Sequence, residues 1–88
     1  MVMDMSTSIE LETNIMLQRM VRDACMKVLG RLGGYYHLSL EFAKRYYQAM
    51  KKNDIMLMKD IREVYKSFGV PEPLMKEIIK RIEERYKK

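Results

Sequence analysis

The sequence predicts an all-α fold, a compact bundle of about four helices. Apolar residues recur at spacings of three and four through most of the chain, which is the period of one helix face. No stretch of useful length alternates at period two, as a half-buried strand would. Gly33-Gly34, Gly69 and the two prolines, Pro71 and Pro73, punctuate the periodic segments and mark the turns.

The first helix is expected from about Ser8 to Leu32. "TSIE" sets Thr7 three residues before Glu10, a capping-box spacing, so residues 1–7 are read as a flexible N-terminus of one domain spanning 1–88. Leu17, Met20, Val21, Ala24, Cys25, Val28, Leu29 and Leu32 form its apolar stripe, and Gly33-Gly34 supplies the backbone angles that end it. Ser39 suits the cap of a second helix over 39–52, with Leu40, Ala43, Tyr47 and Met50 inward. "KKND" then turns the chain, and Asn53 or Asp54 caps a third helix over 54–68 with Leu57, Ile61, Val64 and Phe68 as its inward stripe. Gly69 fits the left-handed position past its end, and Pro73 the first position of a fourth helix over 73–87. Met75, Ile78, Ile79, Ile82 and Tyr86 are the buried stripe expected there.

Several function classes are disfavoured by composition. With 48% apolar and 33% charged residues over 88 positions, the chain has enough apolar surface to fold as one small domain. The longest uncharged run, Leu32 to Leu40, is far short of the roughly 20 residues a membrane helix needs. "MVMDMSTS" lacks the basic start of a secretory signal, so a cytoplasmic location is expected. The single cysteine, Cys25, lies on the first apolar stripe and reads as an inert buried thiol. His37 has no second His or Cys to complete a metal set, and "GRLGG" follows a helix, not the strand that a phosphate loop requires. No nucleophile and base can be paired, so no catalytic residue, metal or cofactor is expected, and an enzyme is the least expected class. Scarce Asn and Gln beside abundant Lys, Arg and Glu match proteins of hot environments.

"SFGVPEPLMKE", residues 67–77, raises the question of a DNA-reading turn. Counted from Ile61, the stretch resembles the helix-turn-helix pattern: Val64, Phe68, Gly69, Val70, Met75 and Ile78 take its fourth, eighth, ninth, tenth, fifteenth and eighteenth places. Tyr65 departs from it, standing where a small residue lets the helices approach. The second helix would then offer Glu72, Pro73, Leu74, Lys76 and Glu77 to base edges, without the Arg or Asn that read guanine or adenine. A Schellman-type corner closed by Gly69 and Val70 explains the same residues. A dimeric helix-turn-helix transcriptional regulator is the alternative reading of the chain.

The net charge of +5 is concentrated: residues 31–53 hold five basic groups and one acid. Lys44, Arg45, Lys51 and Lys52 form a ridge on the second helix that suits a phosphate backbone, and Tyr47 beside them is a ring on which a base can stack. Ten methionines and the consecutive Ile55, Met56, Leu57 and Met58 suggest apolar surface beyond what a small core can hide. Met16, Met56 and Met58 are the expected docking residues for a protein partner. In size, charge and helix content the chain resembles the small basic helical subunit of the crenarchaeal B-family replicative DNA polymerase. That resemblance implies a non-enzymatic accessory subunit of a larger protein of the nucleic-acid machinery, DNA replication favoured, with weak and non-specific contact to DNA or RNA.

Overall fold

Four helices account for most of residues 5–86, the part of the chain described by the computed structural model, with side chains from residue 11 onward. They are α1 Met5–Leu29, α2 Tyr36–Lys51, α3 Ile55–Ser67 and α4 Glu72–Tyr86, with a short 3-10 turn at Gly33–Tyr35 and no strand among the described residues. Of the stretch 1–7 set apart as flexible, residues 1–4 lie outside the description, as does the last residue expected in the fourth helix, Lys87. Helix α1 begins at Met5, so it does not start on the Thr7 to Glu10 spacing. At 25 residues and about 1.5 Å per residue, α1 accounts for the long dimension of the 40 × 29 × 26 Å molecule.

A glycine or asparagine in the left-handed region ends each of the first three helices. Gly30, at φ 74°, closes α1 by donating its amide to the Met26 carbonyl, so the helix stops three residues before the expected Leu32. Asn53, at φ 55°, closes α2: it donates to Met50 while Asp54 donates to Ala49, the paired bonds of a Schellman motif. Asp54 then caps α3 by accepting the Leu57 amide at 3.1 Å. The same motif ends α3, where Gly69 donates to Lys66 and Val70 to Tyr65, with Val70 buried beneath the corner. Pro73 is the second residue of α4, still within the first turn whose amides have no helical partner.

Ser39 is not a cap. The 3-10 turn runs directly into α2, whose first residue is Tyr36, and Ser39 lies fully buried within it, its hydroxyl without a hydrogen-bond partner.

Helix α2 is central, packing on α1, α3 and α4, and α1 also packs on α4. Leu17, Val21, Ala24 and Cys25 of α1 meet Phe42, Ala43, Tyr46, Ala49 and Met50 of α2 and Leu74, Met75, Ile78 and Ile82 of α4 in one core. Of the expected α1 stripe, Leu17, Val21, Ala24 and Cys25 are buried and Met20, Val28 and Leu29 are half-buried against the core, while Leu32 packs there from beyond the helix end. Three inward residues of α2, Phe42, Tyr46 and Ala49, lie outside the expected stripe, and the expected Leu40 and Tyr47 are only half-buried. In α4, Leu74 joins the core while Tyr86 is exposed. Phe42 stacks against Tyr46 at 5.5 Å and Tyr65 at 5.7 Å. Rings this large bury more area than Leu40 would, so they set the rotation of α2.

The largest correction concerns α3. Its expected inward stripe does not face the core: Leu57, Val64 and Phe68 are 40%, 44% and 61% exposed, and only Ile61 is buried. Tyr65 is buried instead, with Met58 half-buried against the core. At 100° per residue the apolar side chains of Val64, Leu57, Phe68, Ile61, Tyr65 and Met58 spread over about 120° of the helix, wider than its contact with α2 can cover. The Tyr65 ring takes the core position because it stacks on Phe42 while its hydroxyl reaches the surface, donating to the Glu41 carboxylate at 2.7 Å.

Candidate nucleic-acid and docking interface

The ridge residues of α2 divide between its two flanks. Lys44, Arg45, Gln48 and Lys52 line a hollow of about 440 Å³ whose far side is Leu57 and Ile61 of α3. Tyr47 takes the other flank: the Lys51 ammonium lies 5.6 Å from the Tyr47 ring centre, and Tyr47 meets Tyr86 of α4 edge-on at 6.4 Å. The five residues expected on nucleic acid therefore fan round one helix: Lys44 and Lys51 lie about 20° apart on its crest, with Lys44 reaching the hollow and Lys51 the Tyr47 ring. Arg45 is the one with an acidic neighbour, Glu41 at 3.7 Å; among the described residues neither Lys44 nor Lys52 pairs with a carboxylate.

A second hollow of about 270 Å³ continues the first. It shares Glu41, Arg45, Leu57 and Ile61 with it and adds Asp60, Val64, Tyr65 and Phe68. The two form one trough with an apolar wall on α3 and a cationic wall on α2. Burial, together with the bond to Glu41, pushes the Tyr65 hydroxyl above its ordinary pKa, so it stays protonated as the donor in that bond.

The methionines expected to dock are dispersed. Met56 is exposed on the first turn of α3, about 100° round from Leu57. Met58 is half-buried against the core, and Met16 of α1 likewise, at the edge of a hollow shared with α4. The residues that do form an exposed apolar row, Leu57, Val64 and Phe68, are the ones that periodicity assigned to the core. The available signal was the excess width of the α3 apolar face.

Around the α3–α4 corner the geometry departs from a base-reading motif. Helix α3 packs chiefly on α2, and α4 on α1 and α2, so the two helices that such a motif clasps together barely meet. Leu74 is buried, and Glu72 lies 3.8 Å from Lys66. Glu77 accepts from Arg81 at 2.8 Å and lies 3.5 Å from Lys27 of α1. Burial alone would raise its carboxyl, but the Arg81 hydrogen bond and the two positive charges outweigh burial and hold it below its ordinary pKa.

No family model, curated protein or solved structure matches this chain. Of the remaining sequence candidates, one is buried and one exposed. Cys25 is buried, which pushes its thiol pKa up, and His37 is exposed in the first turn of α2 against Tyr36. No three His, Cys, Asp or Glu side chains converge among the described residues, and no helix there is long and apolar enough to cross a membrane.

Proposed function

We propose that this chain is a non-enzymatic helical accessory subunit that docks on a larger protein of the nucleic-acid machinery and lays the basic face of α2 along DNA or RNA. One observation carries the reading: the exposed apolar row Leu57, Val64 and Phe68 lies directly beside the cationic crest of α2. An apolar row of that kind suits burial against protein, since contiguous exposed apolar surface marks an interaction site. The crest suits phosphate, which needs charge without shape. The overall character of the chain favours DNA replication as the setting, by resemblance to the small basic helical polymerase subunit.

Fluorescence anisotropy tests the nucleic-acid half, with a labelled duplex, its scrambled version and a single strand at several salt concentrations. Each phosphate contact on duplex contributes a slope of about 0.9 to the fall of log affinity with log salt, and two to four contacts suit so short a face. Replacing Lys44 and Lys51 by Ala flattens the slope by about one to two units and weakens every sequence alike. Absence of binding at low salt overturns this half of the reading. A preference for one duplex over its scramble overturns the non-specific mode.

A further inference from the structure

We infer that the trough between α2 and α3 seats an acidic amphipathic helix of the partner protein, an inference that rests on the docking half of the reading above and names the partner's chemistry. The apolar wall runs Leu57, Ile61, Val64, Phe68, spaced four, three and four along α3. That is about 16 Å at 1.5 Å per residue, or three helical turns. A helix laid alongside meets such a row with its own apolar residues at the same spacing, as helix-in-groove recognition does. Phosphate or sugar would find no partner on that wall.

The opposite wall decides the sign of the occupant's charge. Lys44 and Lys52 stand over the Leu57 half of the trough with Gln48 between them. Their charges are unmatched by any carboxylate among the described residues. Glu41 is already engaged, accepting from Tyr65 at 2.7 Å with Arg45 at 3.7 Å. Asp60 lies on the Phe68 half, where neither Lys44 nor Lys52 reaches. The seated helix therefore carries its carboxylates at the end over Leu57 and has none over Asp60. A second copy of this chain would set one cationic wall against another. The exposed Lys51, which lies over the Tyr47 ring and does not line the trough, stays open for nucleic acid while the trough is filled, whereas Lys44 and Lys52 are then taken by the occupant.

The test is an amide NMR titration of the full chain with a synthetic helix-forming peptide of about 16 residues. The peptide has Leu spaced to match the α3 row and Glu flanking one end; a counterpart carries Lys in place of each Glu. The Glu peptide is expected to shift amides of α2 and α3 along the trough and to bind at least about tenfold tighter than the Lys peptide. Val64→Glu abolishes binding with little change in melting temperature, since its side chain is exposed and outside the core; Phe68→Glu abolishes it too, with a lower melting temperature because its ring packs edge-on against Tyr65 at 5.6 Å. Lys44→Glu with Lys52→Glu reverses the preference between the two peptides, and Tyr47→Ala with Lys51→Ala leaves it unchanged. Equal affinity for both peptides, shifts confined to other surfaces, or no binding by the unaltered chain overturns the inference. So does self-association in sedimentation that Phe68→Glu removes. An oligonucleotide that binds with the expected salt slope while the Glu peptide does not would remove this inference and leave the nucleic-acid reading standing. Peptide binding without oligonucleotide binding does the reverse.

Discussion

Replacing Ser39 by Ala should make the protein more stable. The hydroxyl is fully buried in α2 and has no hydrogen-bond partner, so folding removes it from water without compensation. An unpaired buried polar group costs about 1–3 kcal/mol, and Ala exceeds Ser in helix propensity by about 0.5 kcal/mol. Against these stands the loss of one oxygen's packing, which leaves a void smaller than a methyl group and costs less than about 1 kcal/mol. The balance is a gain of about 0.5–3.5 kcal/mol, and in a domain of this size each kcal/mol raises Tm by about 4–8 °C. Thermal unfolding followed by far-ultraviolet circular dichroism measures the shift, and urea titration with an unchanged slope ties it to the native state. An unchanged or lower Tm refutes the reasoning, and means that the hydroxyl bonds a main-chain carbonyl of the preceding turn.

Asp54→Ala removes the α3 cap bond and should lower stability by about 1 kcal/mol, or Tm by about 4–8 °C, in the same melting assay. Glu77, whose folded pKa is depressed, contributes stability that is complete above its unfolded value of about 4.3 and is lost as pH falls through the lower folded value. Acid titration should therefore destabilise the native chain more steeply below that pH than the Glu77→Gln variant, and parallel curves would show that the carboxylate gains nothing on folding. Cys25 should resist alkylation by iodoacetamide in the folded protein and react at the rate of unfolding, since burial both blocks access and suppresses the thiolate; fast labelling in native buffer would show otherwise.

The all-α fold, the α1 stripe and the corner at Gly69 and Val70 were legible because each depends on one residue property acting locally. Leu17, Val21, Ala24 and Cys25 repeat at helical spacing, and Gly69 takes a backbone angle that few residues tolerate. The α1 end was misplaced because three glycines, Gly30, Gly33 and Gly34, all suit it, and Gly30 comes first. Ser39 was misread because a serine near a helix start has the same local chemistry whether it caps the helix or is carried into the core by Phe42 and Tyr46. The basic ridge was legible as a helix face, but not its division: that depends on α3 packing against one flank and Tyr86 against the other.

Helix α3 shows why that division bears on function. Periodicity treats an apolar stripe as a core stripe because in most small helices there is one apolar face and one interior to receive it. Here the face is wider than the contact with α2, and Tyr65 decides which edge is buried, because its ring stacks on Phe42 while its hydroxyl holds Glu41. That choice turns Leu57, Val64 and Phe68 outward beside Lys44, Arg45 and Lys52. A polar residue at Leu57 or Val64 would have left the described core intact, since neither belongs to it, whereas Phe68 also meets the buried Tyr65 ring edge-on at 5.6 Å. Core packing therefore explains little of the apolar character of Leu57 and Val64, and of Phe68 only its edge-on contact with Tyr65; the partner proposed above would account for the rest. At Ser39 and Leu40 the disagreement between local pattern and observed burial is explained by the rings that set the rotation of α2; at Leu57, Val64 and Phe68 it marks the surface on which the proposed partner would dock.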